Sequence, residues 1–164
     1  QLAGVDKNRL YYMQGDYGLW QCSEPCHQKT YDNEEQVRRM VNEQKDMKIP
    51  TELIPHCPRC GELMTMNLRI DGTFVQDEGW YAAQNRYADF IERYKDKKLI
   101  MLEIGVGYNT PMIIKYPFMR MAHDNIDALY VPINIEDQPI PFEIHKNTVS
   151  FNNDIQKVMN DLLS

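Results

Sequence analysis

The residues in this 164-residue sequence best suited to chemistry are its four cysteines, which fall in two close pairs, Cys22 with Cys26 and Cys57 with Cys60. Tetrahedral zinc takes four nitrogen or sulfur ligands, and two short Cys turns each bring two thiolates to one corner. Gly61 follows the second pair, where such a turn calls for a residue that tolerates positive φ. No charged-then-apolar secretory leader opens the sequence, which disfavours disulfides as the reason for the pairing. Four cysteines close the metal's coordination shell and leave no position for water, so the spacing predicts a structural zinc rather than a catalytic one. His27 and His56 each adjoin a ligand cysteine and are read as flanking residues.

A second candidate lies in Gly105-Val106-Gly107, directly after the apolar run Leu99 to Ile104. Glycines at a strand end leave backbone N–H groups unobstructed, and a helix opening shortly afterwards offers its positive end to a phosphate. The same pattern also serves as a tight strand-to-helix turn. Asn134, at the end of a second apolar run, can bond ribose hydroxyls or cap its own turn. The sequence contains no Walker motif, no serine nucleophile elbow and no HExxH pair. Glu103, inside an apolar run, is expected to be paired or to sit near the strand end.

The elements that must position these residues follow from periodicity. Residues 9–13 and 17–22 are β-rich and separated by Gly15-Asp16, a turn signal. An amphipathic helix is predicted over Asp32 to Lys48, a strand over Met64 to Arg69, and a helix over Gly79 to Lys95. Leu99 to Ile104 reads as a strand covered on both faces, with a helix capped by Thr110 and Pro111 running to His123. Ala128 to Ile135 is a second buried strand, and Asn152 or Asn153 caps a last helix. Alternating helices and strands predict an α/β fold with a parallel sheet and right-handed crossovers, whose ligands sit at the carboxyl ends of the strands.

Composition narrows the function. A net charge of −6 argues against a nucleic-acid surface, and Lys95, Lys97 and Lys98 read as a solvated helix end. No apolar run approaches the roughly 20 residues of a membrane span, so a cytoplasmic protein is expected. The sequence opens at Gln1 without an initiator Met, which suggests a piece of something longer.

With these motifs in order, the sequence resembles the sirtuin family. The resemblance rests on Gln14-Gly15-Asp16, the two cysteine pairs, Ile104-Gly105-Val106-Gly107, Ile133-Asn134 and the helix entry Asn153-Asp154-Ile155, and it covers most of the chain. It implies a partial Rossmann-like parallel sheet with an inserted zinc-ribbon module. Residues 1–20 would be an entry strand of the Rossmann-like domain carrying Gln14, residues 21–68 the zinc module, and residues 69–164 the carboxyl-terminal half of the NAD-binding domain. It also implies NAD as co-substrate, held by Gly105, Val106, Gly107, Asn134 and the backbone near Asp154 and Ile155.

Two departures from the family pattern matter. Sirtuins carry a catalytic His-Gly dipeptide where this sequence has Gln14-Gly15. Glutamine has no nitrogen that titrates near neutral pH, so Gln14 cannot serve as a base, although it can orient a ribose. The sequence is most similar to the macrodomain-associated microbial sirtuins (class M), which carry this Gln, transfer ADP-ribose and modify a lipoyl-carrier protein. In that class Arg69 falls at a further active-site position, although it could equally be a surface strand arginine. The second departure is that the first part of the NAD-binding fold is missing. The expected activity is therefore NAD-dependent protein ADP-ribosyl transfer by the parent protein, with deacylation and a non-catalytic zinc-stabilised module as alternatives. The missing half would leave an exposed sheet edge prone to self-association.

Overall fold

The structure, a computed structural model, describes residues 4–164; the start at Gln1 and the first three residues of the expected 1–20 segment lie outside the described residues. The chain divides into two compact units, Gln1–Ala88 and Asp89–Ser164.

The first unit is built on a three-stranded antiparallel sheet in the order β2-β1-β3, with β1 over Gly15–Cys22, β2 over Tyr31–Asp32 and β3 over Met64–Leu68. Residues 9–13 form no strand, and Gly15 begins β1 instead of marking a turn between two strands. The cause is local. Gly15 has φ +100°, and a Cβ there would lie 1.9 Å from the carbonyl oxygen of Asn67, so only glycine lets the two backbones close at this end. Between Asp16 and Trp20 the register shifts in a bulge, where the Asn33 side chain donates to Tyr17 O at 2.8 Å and Asn33 N donates to Gly18 O at 3.1 Å.

β1 hydrogen-bonds to β2 and β3, so strand pairing groups residues 15–22 with the cysteine-bearing segment. Two buried amides tie this sheet to the chain that follows it. Asn67 donates to Gln21 Oε1 at 2.8 Å and to Val75 O at 2.9 Å, while Gln21 donates to Thr73 O at 2.9 Å and accepts from Val75 N. Buried polar groups this fully bonded specify one strand register and not its neighbours.

Helix α1 covers Glu34–Glu43, shorter than the 32–48 expected. Asp46 and Met47 adopt positive φ in a tight turn closed by Lys45 and Lys48, a conformation no helix continues through. Helix α2 covers Glu78–Tyr94, close to expectation, and the boundary between the units falls inside it. Trp80 is buried near its start, with the Tyr11 ring edge-on at 5.4 Å.

The second unit carries a parallel sheet in the order β4-β5-β6, with β4 over Leu99–Ile104, β5 over Ala128–Asn134 and β6 over Phe151–Asn152. Its core is Met101, Met119, Ala122, Ala128, Tyr130 and Ile144. β4 is not covered on both faces: Ile100 is 69% exposed, with Leu102 and Ile104 also exposed, while Met101 and Glu103 point inward. A continuous apolar run does not distinguish these two cases.

Helix α3 starts at Lys115 rather than Thr110, and runs to Asp124. Pro117 explains the delay. A proline lacks the N–H that an interior helical residue must donate, so the helix begins where Pro117 falls in the first turn. The last helix, α4 over Ile155–Leu163, is capped by Asp154, whose side chain accepts from Lys157 N at 3.1 Å. Asn152, one of the two caps expected, is instead part of β6 and donates to Asp137. Among the described residues no helix is long and apolar enough to cross a membrane.

Candidate functional site

Two turns bring the four cysteines together in the first unit. Cys22 ends β1, Cys26 follows it, and Cys57 and Cys60 flank a turn in which Gly61 N donates to Cys57 O at 2.8 Å. Gly61 adopts φ +81°, which the sequence anticipated. All four sulfurs lie within 4.8 Å of one another, with Cys22 to Cys60 at 3.5 Å and Cys26 to Cys57 at 3.7 Å. A tetrahedron with Zn–S bonds of about 2.3 Å has edges of about 3.8 Å, so the cluster is the size a single zinc requires. A disulfide would need about 2.05 Å, and all four thiols are free.

The thiols are not equivalent. Burial pushes Cys26 up to about 12, aided by the surrounding sulfurs. Burial also opposes ionisation of Cys57, but backbone hydrogen bonds from Cys60 and Arg59 outweigh it and bring that thiol down to about 6. The flanking histidines stay outside the four-sulfur group. His27 Nδ1 lies 3.0 Å from Cys26 Sγ, and its other nitrogen lies 2.8 Å from Tyr31 OH. His56 donates from Nδ1 to Gly61 O at 2.8 Å, bracing the second turn.

At the opposite end of the same sheet, strand pairing sets Gln14 beside Arg69. Gly15 pairs with Leu68, and Arg69 N donates to Gln14 O at 2.9 Å. The Arg69 guanidinium lies over the Phe74 ring at 4.5 Å and near Trp80 at 5.6 Å, and Nε donates to Met13 O at 3.3 Å. Arg69 is itself exposed, so these neighbours brace it at the surface. The aromatic faces hold a permanently charged, planar group in one place.

In the second unit the remaining candidates gather at the carboxyl ends of β4 and β5. Gly105, at φ +66°, donates its N–H to Ile133 O at 2.9 Å, and Asn134 donates from Nδ2 to Val106 O at 3.3 Å. A Cβ on Gly105 would lie 3.1 Å from Ile155 Cδ1, which brings the start of α4 against the same loop. Asn153 N donates to Asn134 O at 3.0 Å, placing Asp154 at this edge too. Gly107 has open space around its Cα. The structure thus brings Gly105, Val106, Asn134, Asp154 and Ile155 together on one rim, with Gly107 at its open side. The helix after the glycine loop opens at Lys115, further from Gly107 in sequence than Pro111 would have placed it.

Sequence reasoning expected Glu103 to be paired but named no partner; the structure supplies two. Lys115 is fully buried and forms an ion pair with Glu103, whose other oxygen accepts from Tyr130 OH at 2.9 Å. Burial and that bond hold the Tyr130 phenol far above its ordinary range, so it stays a donor. Lys115 Nζ also lies 5.0 Å from the centre of the Tyr108 ring, and Tyr108 OH donates to Pro139 O at 3.0 Å. The signal was available: Glu103 and Lys115 are the lone charges of two apolar runs.

Comparison with known proteins adds to this geometry. The chain is 40% identical over 162 residues to a protein ADP-ribosyltransferase of Staphylococcus aureus, spanning 98% of this chain and 51% of that protein. It is 31% identical over 128 residues to a "probable bifunctional ADP-ribose hydrolase/ADP-ribosyltransferase" of Fusarium oxysporum f. sp. cubense, covering 70% of this chain and 20% of that one. The chain therefore spans about half the length of one curated relative and a fifth of the other. Among solved structures it matches a Sir2 mutant with p53 peptide and NAD at a TM-score of 0.52 and 17% identity, covering 93% of this chain and 54% of that one, a likeness of fold. No protein-family model matches.

Proposed function

We propose that the chain is a piece of a sirtuin-type protein and that its parent is an NAD-dependent protein ADP-ribosyltransferase of class M type. The observation that carries this reading is the 40% identity, over almost the whole chain, to a protein of that printed activity. In this reaction the bond between nicotinamide and ribose breaks, nicotinamide leaves, and a side-chain nucleophile of the acceptor protein bonds to the ribose carbon while its proton passes to solvent. Gln14 orients the nicotinamide ribose through its amide and removes no proton. Arg69, always cationic, stabilises negative charge from its aromatic seat. The rim of Gly105, Val106, Gly107 and Asn134, with the backbone at Asp154 and Ile155, takes the phosphate and adenosine ribose through unobstructed N–H groups and side-chain amides.

A structural zinc at Cys22, Cys26, Cys57 and Cys60 belongs to the same reading, supported by sulfur spacing of tetrahedral size. When bound it supplies cross-linking of the two turns and no chemistry at the substrate. The free thiols suit a cytoplasmic protein.

The test uses the full-length parent, NAD labelled in its adenylate half, and a lipoyl-carrier protein as acceptor. Label on the acceptor, lost in Gln14→Ala, is the expected result. Deacylation of an acylated peptide without transfer of label would replace this reading with an NAD-dependent deacylase.

A further inference from the structure

Lys115 is an expensive residue where it stands. It opens α3, the end of a helix at which a cation is disfavoured, and its side chain has no solvent exposure. Taking a lysine and a glutamate out of water is repaid only by good geometry, and apolar residues of similar volume often do as well or better for stability. A pair kept on such terms is better explained by what it holds in place than by stability.

What it holds is visible in its neighbours. Glu103 lies two residues before Gly105 and fixes Lys115 from below, with Tyr130 bonding the second carboxylate oxygen. Above Lys115 sits the ring of Tyr108, the residue immediately after the glycine loop. The hydroxyl of Tyr108 then reaches Pro139 in the segment following β5. The loop is therefore fixed at both ends: by the Gly105 and Asn134 hydrogen bonds at its start, and by one aromatic ring resting on a buried cation at its finish.

The geometry points to Lys115 and Glu103 as positioning residues that set the glycine loop through Tyr108, joining it to the loop after β5 so that both present a preformed edge to the nucleotide. This rests on the reading that the rim takes NAD. The pair touches no substrate. Its effect is on the fraction of time the loop is correctly shaped, which raises apparent affinity and leaves the chemical step alone.

The experiment uses the full-length parent and three variants: Tyr108→Leu, which removes the ring from a partly exposed site; Tyr108→Phe, which keeps the ring over Lys115; and the double variant Glu103→Leu with Lys115→Met, which replaces the pair by apolar groups. Amide hydrogen exchange over residues 105–109 is measured without nucleotide, and KM for NAD and kcat are measured separately. For Tyr108→Leu and the double variant, the expected result is roughly 2- to 30-fold faster exchange confined to the loop, the span of a lost cation–π contact. KM for NAD should rise by a similar factor with kcat near the parent value, and Tyr108→Phe should restore most of both. Unchanged exchange in Tyr108→Leu and the double variant overturns the proposal. So does a fall in kcat with KM unmoved. Faster exchange in a parent protein that does not turn over NAD supports the positioning role while rejecting the NAD reading of the rim.

Discussion

Glu103 and Lys115, twelve positions apart on β4 and the first turn of α3, form an ion pair closed off from solvent on every side. Removing either partner alone strands the other. Glu103→Leu or Lys115→Met should each destabilise by about 3–5 kcal/mol, whereas the two together should recover most of that loss. A double-mutant cycle read by denaturant unfolding checks this, and additive single effects would contradict it.

Gly15 provides a second test. Any side chain there must displace the Asn67 carbonyl and adopt φ +100°. Gly15→Ala should destabilise by about 1–3 kcal/mol and part the strands at the end that carries Gln14 and Arg69. Circular dichroism melting measures the first effect, and ADP-ribosyl transfer measures the second. A variant with parental melting and parental turnover contradicts both.

The unequal thiols predict how zinc entry depends on pH. At pH 7 Cys57, at about 6, has already lost its proton, whereas Cys26, raised to about 12, has not. Metal binding must expel the Cys26 proton at either pH, but must expel one from Cys57 only below about 6. The folded value of Cys57 lies below that of an unfolded thiol, so its contribution to the fold is present at high pH and lost as pH falls through about 6. Calorimetry in buffers of differing ionisation enthalpy should therefore find one more proton released per zinc at pH 5 than at pH 7, with weaker binding. Equal proton release at the two values would show that Cys57 is not depressed.

The outer face of β4 makes the fourth prediction. Ile100, Leu102 and Ile104 are all exposed on a strand that pairs with β5 on one side. Residues 1–164 expressed alone should self-associate, and Ile100→Lys with Leu102→Lys should shift sedimentation toward the monomer. Monomeric sedimentation at high concentration before the change rejects it.

What the sequence made legible follows what each signal encodes. Cysteine spacing is a direct statement about metal geometry, so the four-sulfur cluster could be read without coordinates. Strands β4 and β5 and helix α2 stood out because long periodic or apolar runs carry much information. Boundaries fared worse wherever one residue overrides a pattern, as Pro117 delays α3 and the positive φ of Asp46 and Met47 stops α1 early. Nor could local pattern show that Gln14 and Arg69 adjoin, because a long-range strand register fixes that relationship. For the same reason the pairing of Glu103 could be anticipated but its partners, Lys115 and Tyr130, could not.

The antiparallel ladder of β1 and β3 has one further consequence. It runs from Cys22 opposite Met64 at one end to Gly15 opposite Leu68 at the other, roughly 13 Å along β3. The four-cysteine cluster lies at the first end, and Gln14 and Arg69 adjoin at the second. On the proposed reading, a chelator that never approaches the substrate would lower transfer by the parent protein by letting the two strands drift out of step, so inhibition by metal depletion would by itself be no sign of metal chemistry.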